Sequence, residues 1–171
     1  DCIDQDLLIA KLHAYGFNLE SLRYLKSYLT GRKQRVKTNS SFSNWINLKC
    51  GVPQGSILGP LLFNIYICDL FFNKTELPII NYADDTKPFA CDQTIENVTK
   101  LIEKNGNLLF DWFIDNYLKA NPDKSHFLTN DDKEITLNIK GEDINNSPNQ
   151  KLLGIKFNNK LCFDDHVASL C

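Results

Sequence analysis

The chain has 171 residues, 43% of them hydrophobic and 23% charged, with a formal net charge of −2. That length supports one domain with a sizeable core, and the composition is ordinary globular usage rather than that of a disordered or fibrous chain. No apolar run reaches the roughly 18 residues a membrane-spanning helix needs.

Residues 4–15, "DQDLLIAKLHAY", place Leu7, Leu8, Leu12 and Tyr15 on one helical face, with Gly16 as the stop. "NLESLRYLKSYLTG" repeats the design, with Asn18 as N-cap and Leu22, Leu25 and Leu29 as the apolar stripe. "KQRVKTNSSFSNWINLK" reads as two strands around a polar turn, and its first arm is basic. "GVPQGS" is a loop punctuated by Pro and Gly. "ILGPLLFNIYICDLFF" follows as a helix over 57–72, with Pro60 in its first turn and hydrophobicity continuous enough to predict burial on most sides.

Residues 78–91, "PIINYADDTKPFAC", read as strand, tight turn and strand, with Asp84 and Asp85 at the bend. "TIENVTKLIEKNGNLLFDWFIDNYLKA" is a long helix whose buried face would carry Ile95, Val98, Leu101, Ile102, Leu109, Trp112, Phe113 and Tyr117, weakened at Gly106. "NPDK" is a turn; "SHFLTN", "EITLNIK" and "KLLGIKF" are strands; "FDDHVASLC" begins a helix capped by Asp164. Helices mixed with hairpins, without regular βαβ alternation, predict an α+β fold with an antiparallel sheet backed by the 57–72 and 94–118 helices.

Charge is unevenly spread. Residues 1–50 carry eight Lys or Arg against four Asp or Glu, and residues 51–171 carry eleven against seventeen. A basic first part suits phosphates, and an acidic remainder suits cations. In "GRKQRVK", Arg32, Lys33, Arg35 and Lys37 either meet phosphates or guard a solvated edge strand. Asp84 and Asp85 are either a solvated hairpin tip or a pair whose repulsion a cation relieves. The six cysteines are scattered without C-x-x-C spacing, and the opening "DCIDQDLL" has no basic start. Both features favour reduced thiols and an intracellular place, in cytoplasm or nucleus. A chain without methionine fits a stretch that begins inside a longer protein.

Four segments occur in order: "GVPQGSILGPLLFNIYICDL", "YADD", "LKANPDKSHFL" and "KLLGIKFNNKLCFDDHV". This succession resembles the reverse transcriptase of non-LTR retrotransposons, jockey-like elements in particular. The resemblance implies a polymerase palm over 1–157, a fingers-like helix and hairpin at 18–50 within it, and the start of a thumb at 158–171. It implies an RNA template, a DNA primer and dNTPs as partners, with no membrane; oligomeric state stays open. Asp84 and Asp85 would hold Mg2+, or Mn2+ in its place, for an attack of a primer 3′-hydroxyl on the α-phosphate of a dNTP. Gln54, Gly55, Ser56, Tyr82 and Ala83 would line the nucleotide site. Lys124 would serve as acid to the leaving pyrophosphate; a solvated turn lysine is the alternative. Leu153 and Gly154 would centre the primer grip. The family's first catalytic Asp lies in a motif resembling D-x-S-K-A-F-D, of which Asp1 resembles the last residue. These 171 residues alone are therefore expected not to polymerise DNA. Gln5 stands where family members often have His. A catalytically inactive relic that at most binds nucleic acid is the alternative function.

Overall fold

A computed structural model of the chain describes residues 2–72, 75–121, 125–131 and 133–170. Two compact units are present. The first comprises Asp1–Thr75, Ile79–Lys87 and Asp111–Lys119; the second comprises Glu76–Pro78, Pro88–Phe110 and Ala120–Cys171. Helices and small antiparallel hairpins mix throughout, the α+β class expected. The strands do not join into one sheet. Among the described residues they form five separate two-stranded ladders, each strand two to four residues long. No helix among the described residues is long and apolar enough to cross a membrane.

In the first unit, α1 (Gln5–Ala14) starts at Asp4, whose carboxylate accepts the Leu7 N–H at 2.8 Å. Leu8 and Leu12 are fully buried, as their spacing predicts, but Tyr15 is exposed. The face instead includes two polar residues, Gln5 and Lys11, both buried. Helix α2 (Leu19–Leu29) matches its prediction closely: Asn18 accepts the Ser21 N–H at 2.8 Å, and Leu22, Leu25 and Leu29 are buried.

The basic hairpin is one long arm interrupted in the middle. Its base pairs β1 (Lys33–Gln34) with β4 (Ile46–Asn47), and its tip pairs β2 (Lys37–Thr38) with β3 (Ser41–Phe42). The Val36 N–H turns to the Ser43 hydroxyl, 2.9 Å away.

Helix α3 (Leu58–Ile67) continues into a 3₁₀ turn at Cys68–Phe72. Burial on most sides is not what it has. Gly59, Leu62, Tyr66, Ile67 and Leu70 are buried at helical spacing, whereas Ile57, Leu61, Phe71 and Phe72 are exposed. A helix laid on a unit's surface can turn only one stripe inward, however apolar its other positions are.

The buried stripe of α3 closes around Lys11. Its ammonium donates to the Tyr66 carbonyl and to Asp69 Oδ1, each at 2.7 Å. It also lies over the Tyr66 and Trp112 rings, at 4.7 and 5.1 Å from their centroids. The Tyr66 hydroxyl donates to the Asn116 carbonyl at 2.6 Å, and Asn116 Nδ2 donates to the Trp112 carbonyl. Burial pushes the Tyr66 phenol up from 10.0 to about 12.

Trp112 and Asn116 sit at the end of α4 (Ile95–Asp115). This helix stops earlier than its hydrophobic pattern suggests. Tyr117 takes a left-handed φ of 53°, and the Leu118 N–H bonds back to the Phe113 carbonyl at 2.8 Å. That is a helix-ending motif, and it leaves Tyr117 exposed rather than on the buried face.

In the second unit, the earlier part of α4 packs on the hairpin of β7 (Thr136–Ile139) and β8 (Glu142–Asn145). The helix runs through Gly106 unbroken, and a Cβ at that position would lie 2.7 Å from Ile139 Cδ1. Two α4 side chains take the outward N–H groups of this hairpin. Glu103 accepts from Asn138, and Asn107 accepts from Lys140. "EITLNIK" is therefore only the first arm of a hairpin that turns at Lys140 and Gly141. "SHFLTN" forms no strand among the described residues, only a single bridge from Phe127 to Asn146. "KLLGIKF" spans two strands, with β9 at Asn149–Leu152 and β10 at Ile155–Asn158. Asp164 is the first residue of α5 (Asp164–Ala168) rather than its cap.

The Lys11 site gives a direct test of what holds the first unit. Lys11→Met should lower the free energy of unfolding by about 2 kcal/mol, because a carbonyl and a carboxylate lose a buried donor. Asp69→Asn should cost at least as much, since it leaves the Lys11 ammonium buried without a countercharge. Urea denaturation of the two variants measures the difference, and a smaller loss for Asp69→Asn would show that the carbonyl and the ring faces suffice.

Candidate active site

The "YADD" bend is a hairpin with a two-residue loop. Strand β5 (Ile79–Tyr82) runs to Tyr82, Ala83 and Asp84 form the turn, and Asp85 opens β6 (Asp85–Pro88). The expected placement of both carboxylates at the bend of a hairpin holds. Ala83 has a φ of 52°, so an alanine occupies the left-handed region that costs an L residue about 1 kcal/mol. Two neighbours brace it. Asn81 Nδ2 donates to the Ala83 carbonyl at 2.8 Å, and the Thr86 hydroxyl donates to Asn81 Oδ1 at 2.7 Å. The two Asp side chains and Tyr82 are exposed. Positive φ at the first loop position suits the right-handed twist of the flanking strands.

The PQG loop is built by a different device. Pro53 and Ser56 close a tight turn, with the Ser56 N–H 3.3 Å from the Pro53 carbonyl. The Ser56 hydroxyl donates to that carbonyl at 2.7 Å and accepts the Gly59 N–H at 3.0 Å. Ile57 already has helical dihedrals, so Ser56 caps α3 one residue ahead of its regular hydrogen bonds. Gly59 completes the device, since a Cβ there would stand 2.9 Å from the Pro53 carbonyl oxygen. Gly55 has a φ of 76° with open space where a Cβ would go. Its conformation, not crowding within the chain, requires glycine.

Gln5 and Ile3 hold the loop from behind. Gln5 Nε2 donates to the Gly51 carbonyl at 3.1 Å, and the Gly51 N–H donates to the Ile3 carbonyl at 2.7 Å. The segment leading into PQG is thereby tied to the first residues of the chain. Asn81, Thr86, Gly59 and Gln5 all support the motifs without belonging to them. An Asn two residues before the acidic pair and a Thr just after it are a readable turn signal. Gln5 and Gly59 act through contacts that spacing along the chain does not reveal.

Among the residues expected to act, Gln54, Gly55, Ser56, Tyr82, Ala83, Asp84 and Asp85 fall in the first compact unit with Arg32, Lys33, Arg35 and Lys37. Leu153 and Gly154 belong to the second unit, at the two-residue turn between β9 and β10, with φ of 49° and 91°. Lys124 lies outside the described residues. Among the described residues, no group of three His, Cys, Asp or Glu side chains could hold a metal ion. The adjacent carboxylates of Asp84 and Asp85 supply the hard oxygen donors that magnesium prefers, but only two residues' worth.

Residues 1–157 match the family described as reverse transcriptase (RNA-dependent DNA polymerase). The chain belongs to the reverse transcriptase family. It is 30% identical over 157 residues to the "Probable RNA-directed DNA polymerase from transposon BS" of Drosophila melanogaster, covering 85% of this chain and 17% of that protein. It is 27% identical over 158 residues to the "RNA-directed DNA polymerase from mobile element jockey" of Drosophila funebris, with the same coverage on both sides. A shorter match, 43% over 67 residues, joins it to the "Probable RNA-directed DNA polymerase from transposon X-element" of Drosophila melanogaster, covering 36% of this chain and 7% of that protein. This reverse transcriptase chain thus spans about a sixth of the length of the relatives that match along most of it. The family read from the motif succession is the family found.

In this reverse transcriptase chain, Gly55 in the loop and Gly59 in the first turn of α3 should respond differently to a methyl group. Gly59→Ala forces the Pro53 carbonyl to move and should cost about 1–3 kcal/mol of stability. Gly55→Ala meets no atom and should cost only the left-handed penalty, about 1 kcal/mol. Thermal unfolding of both variants separates them; a neutral Gly59→Ala would mean that the loop yields without resistance.

Proposed function

We propose that the polypeptide carrying this chain is an RNA-directed DNA polymerase of a jockey-like non-LTR retrotransposon. It would join dNTPs to a primer 3′-hydroxyl on an RNA template. In this reading residues 1–157 are palm, with 18–50 as a fingers-like helix and hairpin, and 158–171 begin the thumb. One observation carries the proposal: two adjacent carboxylates stand exposed at a braced hairpin bend, in the same compact unit as the PQG loop.

Asp84 and Asp85 are the residues that would hold a divalent magnesium or manganese ion, since their oxygens are hard and solvent-facing. Such ions, when bound, neutralise charge on the entering and leaving oxygens of an in-line displacement. The chain's own residues do the positioning. The Asn81 and Thr86 hydrogen bonds fix the turn that presents the carboxylates. Gly55, with open space above it, would let a nucleotide approach the backbone. Ser56 and Gly59 hold that loop against the start of α3. Tyr82, exposed beside the bend, offers a ring for the primer end. Leu153 and Gly154 centre the turn assigned to the primer grip, and Lys124 is assigned to protonate the leaving pyrophosphate.

Arg32, Lys33, Arg35 and Lys37 are assigned to template phosphates. Arg32 is half-buried, and Lys33, Arg35 and Lys37 are exposed.

Two measurements test the reading. In the full-length polymerase, Asp84→Asn should abolish primer extension on an RNA template while template affinity stays within about twofold; the phosphate contacts lie elsewhere. Retained extension would remove Asp84 from the reaction. Replacing Arg32 and Arg35 with Ala should make the slope of log affinity against log salt shallower by about one unit, at roughly 0.7 per phosphate on single strands. The change should be similar on unrelated templates, and an unchanged slope would end the phosphate assignment.

A further inference from the structure

The basic arm carries something phosphate binding does not need. Between Ser21 and Cys68 the chain has seven Lys or Arg and no Asp or Glu, yet this segment also exposes large aromatic rings. Phe42 and Trp45, on the returning side of the hairpin, remain 51% and 58% exposed. The Arg35 guanidinium lies over both, 3.9 Å from the Phe42 centroid and 4.5 Å from that of Trp45, and Lys37 reaches the Phe42 ring at 5.6 Å.

A solvated edge strand is protected well enough by its charges and gains nothing from two open rings. Arg35 holds the rings in place and covers part of each, but about half of each side chain stays in water. A flat apolar surface edged by cations, on a segment free of anions, complements one kind of partner especially well. An unpaired nucleobase stacks on the ring while its phosphate meets Lys33, Lys37 or Arg35. Paired bases hide their faces inside a duplex and cannot use the platform.

We infer that Trp45 and Phe42, held by Arg35, form a stacking platform for the bases of single-stranded nucleic acid. The inference rests on the reading of this arm as a nucleic-acid contact. It adds a term that salt does not screen and that needs bases rather than phosphates.

The test compares a labelled short oligouridylate with an abasic ribose-phosphate strand of the same length, titrated with the 171-residue chain at several salt concentrations. Trp45→Ala should weaken oligouridylate binding about tenfold, a typical stacking loss. It should leave abasic binding and the salt slope unchanged. Trp45→Phe, which keeps a ring, should restore most of the affinity. Binding of oligouridylate should also quench the emission of exposed Trp45, against a steady background from buried Trp112. A loss equal on both strands, or no loss on either, overturns the platform. So does binding to phosphatidylserine-containing vesicles without binding to oligouridylate. An Arg32 and Lys33 double variant to Ala, which leaves Arg35 over the rings, separates the two layers. If it flattens the salt slope while Trp45→Ala changes nothing, the platform fails and the phosphate reading stands. If neither strand binds, both fail.

Discussion

The first compact unit depends on one ammonium group kept out of water. Lys11 is only 9% exposed, and burying such a charge costs several kcal/mol unless its partners replace the lost water. Here a carboxylate, a main-chain carbonyl and two ring faces do so. These partners come from α3, its 3₁₀ extension and the end of α4, while Lys11 itself belongs to α1. Three segments far apart in the chain must therefore meet at one point. Gln5, one helical stretch earlier on α1, ties the same helix to the approach of the PQG loop. The loop that the family reading puts beside a nucleotide is thus referenced to α1 twice: through Gln5, and through the α3 stripe around Lys11.

Local chemistry was legible in the sequence, and long-range contact was not. Asn18 and the Leu22, Leu25 and Leu29 stripe define α2 without help from elsewhere. The bend at Asp84 and the helix start after PQG are likewise set by neighbouring residues. Lys11 is the opposite case: lysine normally marks a solvated position, and its partners lie 55 and 58 residues away. At Gly106 the sequence shows the helix penalty of glycine but not the close approach of Ile139. Tyr117 fits the apolar period, but the helix ends in a left-handed turn at that residue. The missing β8 follows from a similar blindness. A turn of Lys140 and Gly141 is short enough to hide inside what looks like one strand.

For the candidate site, the motif succession identified the family and named the residues at the bend and loop, but of the side chains that steady them only Ser56. Asn81 and Thr86 hold an alanine in a conformation that alanine does not favour. Ser56 and Gly59 hold a carbonyl against the first turn of a helix. Gln54 and Gly55 in the one place, and Tyr82, Ala83, Asp84 and Asp85 in the other, stay exposed. The aromatic rings around Arg35 were visible as letters in the hairpin, but nothing in their spacing revealed that a single guanidinium covers both.

The phenol of Tyr66 turns the integrity of this core into an optical signal. Its proton is held to about 12, above the ordinary 10.0 of a tyrosine. As alkali is added, burial makes this phenol resist ionisation. The ultraviolet absorbance of tyrosinate should therefore include a late rise from the ring whose main-chain carbonyl accepts from Lys11. That rise reports the moment at which hydroxide, or an unfolding event, reaches the centre of the unit. It needs no label.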